Sequence, residues 1–131
     1  MEKRLYQRVL VGLISNFIIK ENEPGFREFN GIIEDLSENG IRIRIEDQSY
    51  LHIVEKIKVG DKILFQSIDE YEMYGDTRTD IFSGEARVIR KSSDDGNVIV
   101  GCKIDKSSDE YSEYVKNKKM ALFMKRGCNM L

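Results

Sequence analysis

The chain predicts an all-β domain, an antiparallel barrel or sandwich, followed by one C-terminal helix. Three observations carry this. About six β-type segments recur at short spacing, no helical period separates them, and apolar positions fall near helical spacing only beyond Asp109. One domain accounts for all 131 residues, a length that can bury a core without disulfides or metals.

The elements follow in order. Val9 to Ile19 is rich in Val, Ile and Leu and predicts a long buried strand, closed by Glu21 to Gly25 with the chain's one proline. With MEKRLYQR before it, this run imitates a signal peptide. Ser15 and Asn16 interrupt it, however, no small-x-small cleavage site follows, and about eleven residues are too few to cross a membrane. No membrane insertion is expected, and the protein reads as cytoplasmic. Phe29 to Leu36 predicts a second strand. In Ile41 to Ile45 the isoleucines point one way and Arg42 and Arg44 the other, the mark of a half-buried strand. SENG joins these two strands in a tight antiparallel hairpin, with Asn39-Gly40 able to take positive φ. A Gly-Asp turn within Lys58 to Asp61 feeds a strand at about Lys62 to Ile68. The acidic and polar residues from Asp69 to Asp80 read as a loop, and Ile81 to Lys91 and Asn97 to Ile104 as two strands joined by SSDDG. From Asp109 to Lys125 the positions of Tyr111, Tyr114, Val115 and Leu122 predict a helix, with Ser107, Ser108 and Asp109 to cap it and Gly127 to end it.

Composition removes several classes of function. Charges nearly balance at net −2 with a pI of about 5.5, so no broad basic face tracks a nucleic-acid polymer, and an RNA-binding barrel is disfavoured. Cys102 and Cys128 are too few and too far apart for a disulfide framework or zinc site, and read as reduced thiols. His52 is the single histidine, on an apolar strand-like stretch, without a second ligand at metal spacing. No nucleophile and base can be paired, and no phosphate-binding glycine motif is present, so no catalytic residue, metal or cofactor is assigned.

Two patterns remain. RLYQR places Arg4 and Arg8 four apart, so both guanidinium forks can converge on one anion or on guanine O6 and N7. Nine arginines make such a spacing common by chance. DLSENG places Asp35 and Ser37 two apart, where a carboxylate and a hydroxyl can face one ligand; a carboxylate suits the N1–H and amino donors of guanine. Gly40 permits the turn and a close backbone approach. Asp, Ser, Asn and Gly are also ordinary turn formers, so by itself the segment reads first as a hairpin turn.

The two patterns in this order resemble the PilZ domain, whose signature is R-x-x-x-R followed by [D/N]-x-S-x-x-G. Arg4 and Arg8 match the first motif; Asp35, Ser37 and Gly40 match the second. VGDKI, GEARVIR and VGCKI are similar to later family segments, with Ile104 in place of an aromatic residue. Leu5 stands where many members carry a second basic residue, with Lys3 just before the motif, and Arg90 stands where a bulky aromatic often occurs.

The resemblance implies a six-stranded antiparallel β-barrel over residues 9–106, a C-terminal helix and tail over 107–131, and an N-terminal ligand-binding arm over 1–8. It implies binding of cyclic di-GMP through Arg4, Arg8, Asp35, Ser37 and Gly40, with Lys3, Asn39 and Arg90 as further candidates. Arg90 reads first as an ordinary strand-end charge, and alternatively as a guanidinium face stacked on a base. The polar segment Met1 to Gln7 is expected to be mobile without ligand and to close over it, a change that a separate protein effector would read. The competing expectation is a ligand-free interaction module of the same fold, although such relatives typically lack both motifs.

Overall fold

Strict alternation survives in β3 (Gly40–Ile45), where Ile41, Ile43 and Ile45 are buried and Arg42 and Arg44 lie on the wet face. The structure, a computed structural model, describes residues 9–20, 26–46 and 48–129. Its strands are β1 (Val9–Lys20), β2 (Phe26–Leu36), β3, β4 (Lys62–Met73), β5 (Asp76–Asp94) and β6 (Asn97–Ser107). All neighbours are antiparallel, in the order β1-β2-β3-β6-β5-β4, and β1 pairs with β4 from Asn16↔Gln66 to Ile19↔Ile63 to close the barrel. Closure leaves no sheet edge in this region.

The core fills the ring. Phe17 and Phe29 stack with centroids 5.2 Å apart, and Ile33, Leu36, Ile41, Ile43 and Ile63 are fully buried around them. α2 (Asp109–Asn129) packs across β5. Its Tyr111, Tyr114 and Val115 are wholly buried, at the i, i+3, i+4 spacing of one helix face. Tyr111 meets Phe65 and Phe82 edge-on, and each such ring withdrawn from water is worth roughly 1.5–3 kcal/mol. Of the expected capping residues, Ser108 is tied across to β5: its Oγ accepts from the Ser83 N–H at 3.1 Å, and its own N–H reaches the Ser83 carbonyl at 2.9 Å.

Four expectations are corrected. The loop expected over Asp69 to Asp80 is a β-ribbon: β4 runs on to Met73, and β5 starts at Asp76. Tyr74 and Gly75 both have positive φ, 55° and 81°, the backbone of a two-residue hairpin turn that matches strand twist. The ribbon brings Asp69 directly opposite Asp80, a repulsive pairing. Helix α2 resolves part of it, because the Tyr114 hydroxyl donates to Asp69 at 2.5 Å and Lys118 Nζ stands 3.6 Å from the same carboxylate. Tyr71 donates to Asp80. A polar stretch is therefore strand because tertiary partners neutralise it.

The second correction concerns β1. Phe17 and Ile19 are buried and Val11 and Leu13 pack against the core, but Leu10 is 79 % and Ile14 75 % exposed, so the strand is buried on one face only. Third, helix does occur between strands: a 3₁₀ turn (Gln48–Tyr50) runs into α1 (Leu51–Val54), which carries His52 exposed on a helical turn instead of a strand. The Lys91 ammonium of β5 holds this connection, donating to the carbonyls of Val54 at 2.9 Å, Glu55 at 3.3 Å and Ile57 at 3.1 Å. Fourth, neither Asn39 nor Gly40 has positive φ. Ser37 to Asn39 make the turn without it, and Gly40 serves another purpose.

Candidate ligand-binding site

β2 ends and β3 begins at the signature turn. The Ser37 N–H donates to the Gly40 carbonyl at 2.9 Å, and the Asn39 carbonyl accepts from the Ile104 N–H of β6 at 2.8 Å. Ser37 Oγ donates to Asn39 Oδ1 at 3.0 Å, which fixes both side chains. A Cβ on Gly40 would lie 3.2 Å from the Cys102 carbonyl oxygen, so any side chain there would press β6 back by a few tenths of an ångström.

A bulge decides where Asp35 points. Ile33 pairs with Ile43, but Asp35 pairs with Arg42, so β2 spends one more residue than β3. Ile33 and Leu36 both reach the core at 0 % exposure, and Glu34 and Asp35 between them leave from the outer face together. Without the extra residue, simple alternation from Ile33 would send Asp35 inward. Asp35 is 6 % and Ser37 3 % exposed, so the two motif side chains sit recessed at the barrel wall.

Helix α2 holds the turn from the other side. The Tyr111 hydroxyl donates to the Ser37 carbonyl at 2.6 Å, and Lys119 Nζ pairs with Glu38 at 2.5 Å. Sequence reading placed Tyr111 only on an apolar helix face; its bond to Ser37 joins residues 74 apart and has no local signal.

Arg90 lies on the outer face of β5 opposite Gly101 of β6, which in turn pairs with Arg42. It is thus in line with Asp35 across four strands. Lys3, Arg4, Arg8 and the arm over residues 1–8 lie outside the described residues. The barrel itself begins at Val9, which stands opposite Leu36, with Leu10 opposite Asp35.

Other chemistry is sparse. Among the described residues no group of three or more His, Cys, Asp or Glu could hold a metal, and no helix is long and apolar enough to cross a membrane. Cys102 is free and buried, and burial pushes its thiol up to about 12. A surface groove of about 530 Å³ lies elsewhere, lined by residues such as Asn16, Gln66, Glu85 and Lys106, and contains no motif residue.

Comparison with solved structures finds the fold again. The Bacillus subtilis inhibitor of motility, MotI/DgrA, matches with a TM-score of 0.60 at 15 % identity over 98 % of this chain and 53 % of that one. The Borreliella burgdorferi PlzA protein in complex with c-di-GMP matches with a TM-score of 0.47 at 13 % identity over 94 % and 52 %. The chain thus spans about half the length of each. Among curated proteins none matches. The family model described as PilZ domain matches residues 2–117, which takes in both motifs, all six strands and the buried face of α2: the chain belongs to the PilZ domain family.

Proposed function

We propose that this PilZ domain is a cyclic di-GMP receptor, a binding module and not an enzyme. The observation that carries the reading is the Val9↔Leu36 register. Arg8 precedes Val9 in the sequence and Ser37 follows Leu36, so this register supports a reading in which the two motifs act at one end of the barrel. The ligand carries two phosphates and two guanines. Arg4 and Arg8, with Lys3 before them, supply cations and planar stackers; Asp35 and Ser37 supply acceptors for a guanine edge, and Gly40 lets the turn sit close. Asn39 holds Ser37 in place. In this reading the arm over residues 1–8 orders on the ligand, and a separate protein effector in the cytoplasm reads that change.

Calorimetry of the intact chain with cyclic di-GMP is the test. Binding should be measurable in the micromolar range, and Arg8→Ala should weaken it about 10- to 150-fold, the loss of a charge-assisted contact of roughly 1.5–3 kcal/mol. No heat at tens of micromolar ligand, roughly the −6 kcal/mol level, would leave the ligand-free interaction module as the better reading. If Arg8→Ala and Asp35→Ala bind like the parent, the motif assignment falls.

A further inference from the structure

The bulge turns Asp35 to the outer face that alternation from Ile33 already gives Glu34, and this gives the neighbouring arginines a second meaning. The ladder pairs Asp35 with Arg42, Arg42 with Gly101 and Gly101 with Arg90, so four residues on β2, β3, β6 and β5 form one row on the outer face. Strands are about 4.8 Å apart, which sets the Arg42 and Arg90 backbones roughly 10 Å from each other. Between them Gly101 has no side chain. A Cβ there would stand 3.5 Å from Arg90 Nε and 3.7 Å from Arg90 Nη2, so the Arg90 guanidinium lies folded over β6 toward Arg42. Among the described residues no acid pairs with Arg90, so its exposed guanidinium is available to an anion from outside.

Among the described residues Arg42 has one counter-ion. Its Nε stands 3.2 Å from Glu34 Oε2, and Glu34 Oε1 accepts from Arg44. The Glu34 carboxylate therefore bridges two arginines, and Arg44 has a second acid, Asp94, at 3.5 Å. Arg44 is neutralised twice over; among the described residues Arg42 is paired with Glu34 alone.

We propose that Arg42 and Arg90, on either side of Gly101, form an anion subsite that extends the signature turn across the barrel, and that Glu34 is its internal occupant when no ligand is bound. The anion is a phosphate of the cyclic dinucleotide, so the inference rests on the receptor reading above. Binding exchanges one partner for another: Arg42 releases the Glu34 carboxylate and takes a phosphate oxygen, while Glu34 keeps Arg44. Both pairings are charge-assisted hydrogen bonds, so the net gain is a difference, and Glu34 sets how weak the resting affinity is. Gly101 keeps the floor between the two guanidinium groups clear.

The test is titration of the full chain with cyclic di-GMP by calorimetry, for the parent, Glu34→Gln, Arg42→Ala, Gly101→Val and the Glu34→Gln/Arg42→Ala double variant. Arg42 is 43 % exposed, so its truncation leaves the core intact. Glu34→Gln should bind about three- to tenfold tighter, a gain that a damaged fold cannot produce. Arg42→Ala should bind about tenfold weaker, with a shallower dependence on salt, and Gly101→Val should also lose affinity. In the double variant the gain from Glu34→Gln should vanish, because it acts through Arg42. If the parent binds and both Glu34→Gln and Arg42→Ala match it, the subsite is wrong and the receptor reading stands. A parent that does not bind overturns both.

Discussion

The Tyr111 hydroxyl of α2 donates a 2.6 Å hydrogen bond to the carbonyl oxygen of Ser37, so the middle of the signature turn is anchored to the terminal helix. Both partners are buried, and water cannot replace the donor. Tyr111→Phe keeps the ring contacts with Phe65 and Phe82 and removes only the bond. It should cost about 1–3 kcal/mol in urea unfolding, the penalty of an orphaned buried acceptor. The same variant should also weaken cyclic di-GMP binding, since the backbone that presents Ser37 loses its anchor; equal affinity would mean that the turn holds itself.

Lys91 is the sole side chain that draws in the carbonyls closing α1 among the described residues, with three of them within 3.3 Å. Lys91→Met preserves the aliphatic stem and removes the ammonium. Hydrogen bonds from a charged donor are worth roughly 1.5–3 kcal/mol, so the urea midpoint should fall with the m-value unchanged. Hydrogen exchange should rise first in residues 54–57, ahead of the barrel strands.

Gly84 sits where β5 crosses the core. A Cβ there would lie 2.6 Å from Phe65 Cζ and 2.7 Å from the Lys106 carbonyl oxygen, and the second of these is backbone that cannot swing away. Gly84→Ala should destabilise the domain by about 1–3 kcal/mol through overpacking, despite alanine's better behaved backbone. Gly75→Ala meets no atom within 4 Å, but takes a side chain to φ 81°; its cost is turn strain alone. Thermal melts of the two variants should rank Gly84→Ala lower.

Stability should fall at alkaline pH. Loss of water, followed by the bond to Asp80, pushes the Tyr71 phenol up from 10.0 to about 12; burial and then Asp69 raise Tyr114 in the same direction, and burial takes Cys102 from 9.0 to about 12. All three are acids whose folded values exceed their unfolded ones, so their neutral forms stabilise the fold. That contribution is complete well below pH 9.0 and is lost as pH rises through about 12. Urea midpoints measured across this range should decline, and Tyr71→Phe should decline less steeply. A thiol reagent at pH 8 should label Cys102 only after unfolding, roughly at the global opening rate.

Sequence alone determined the all-β class, the terminal helix, the alternation of β3 and both family motifs, because each is written in neighbouring residues: period 2 in GIRIRI, period near 3.6 after Asp109, and the short spacings of RLYQR and DLSENG. Tertiary structure decided what depends on distant partners. The acidic segment before Asp80 is strand because Tyr114, Lys118 and Tyr71 satisfy its carboxylates. Gly40 lets the Cys102 carbonyl lie close against the turn, a contact across 62 positions. Asp35 faces outward because one bulged residue shifts its phase by a step, and Arg42, Gly101 and Arg90 share its row only because β3, β6 and β5 are neighbours in the barrel. Local periodicity records which face a residue prefers; strand order and register record which residues meet, and no short stretch of sequence contains that information.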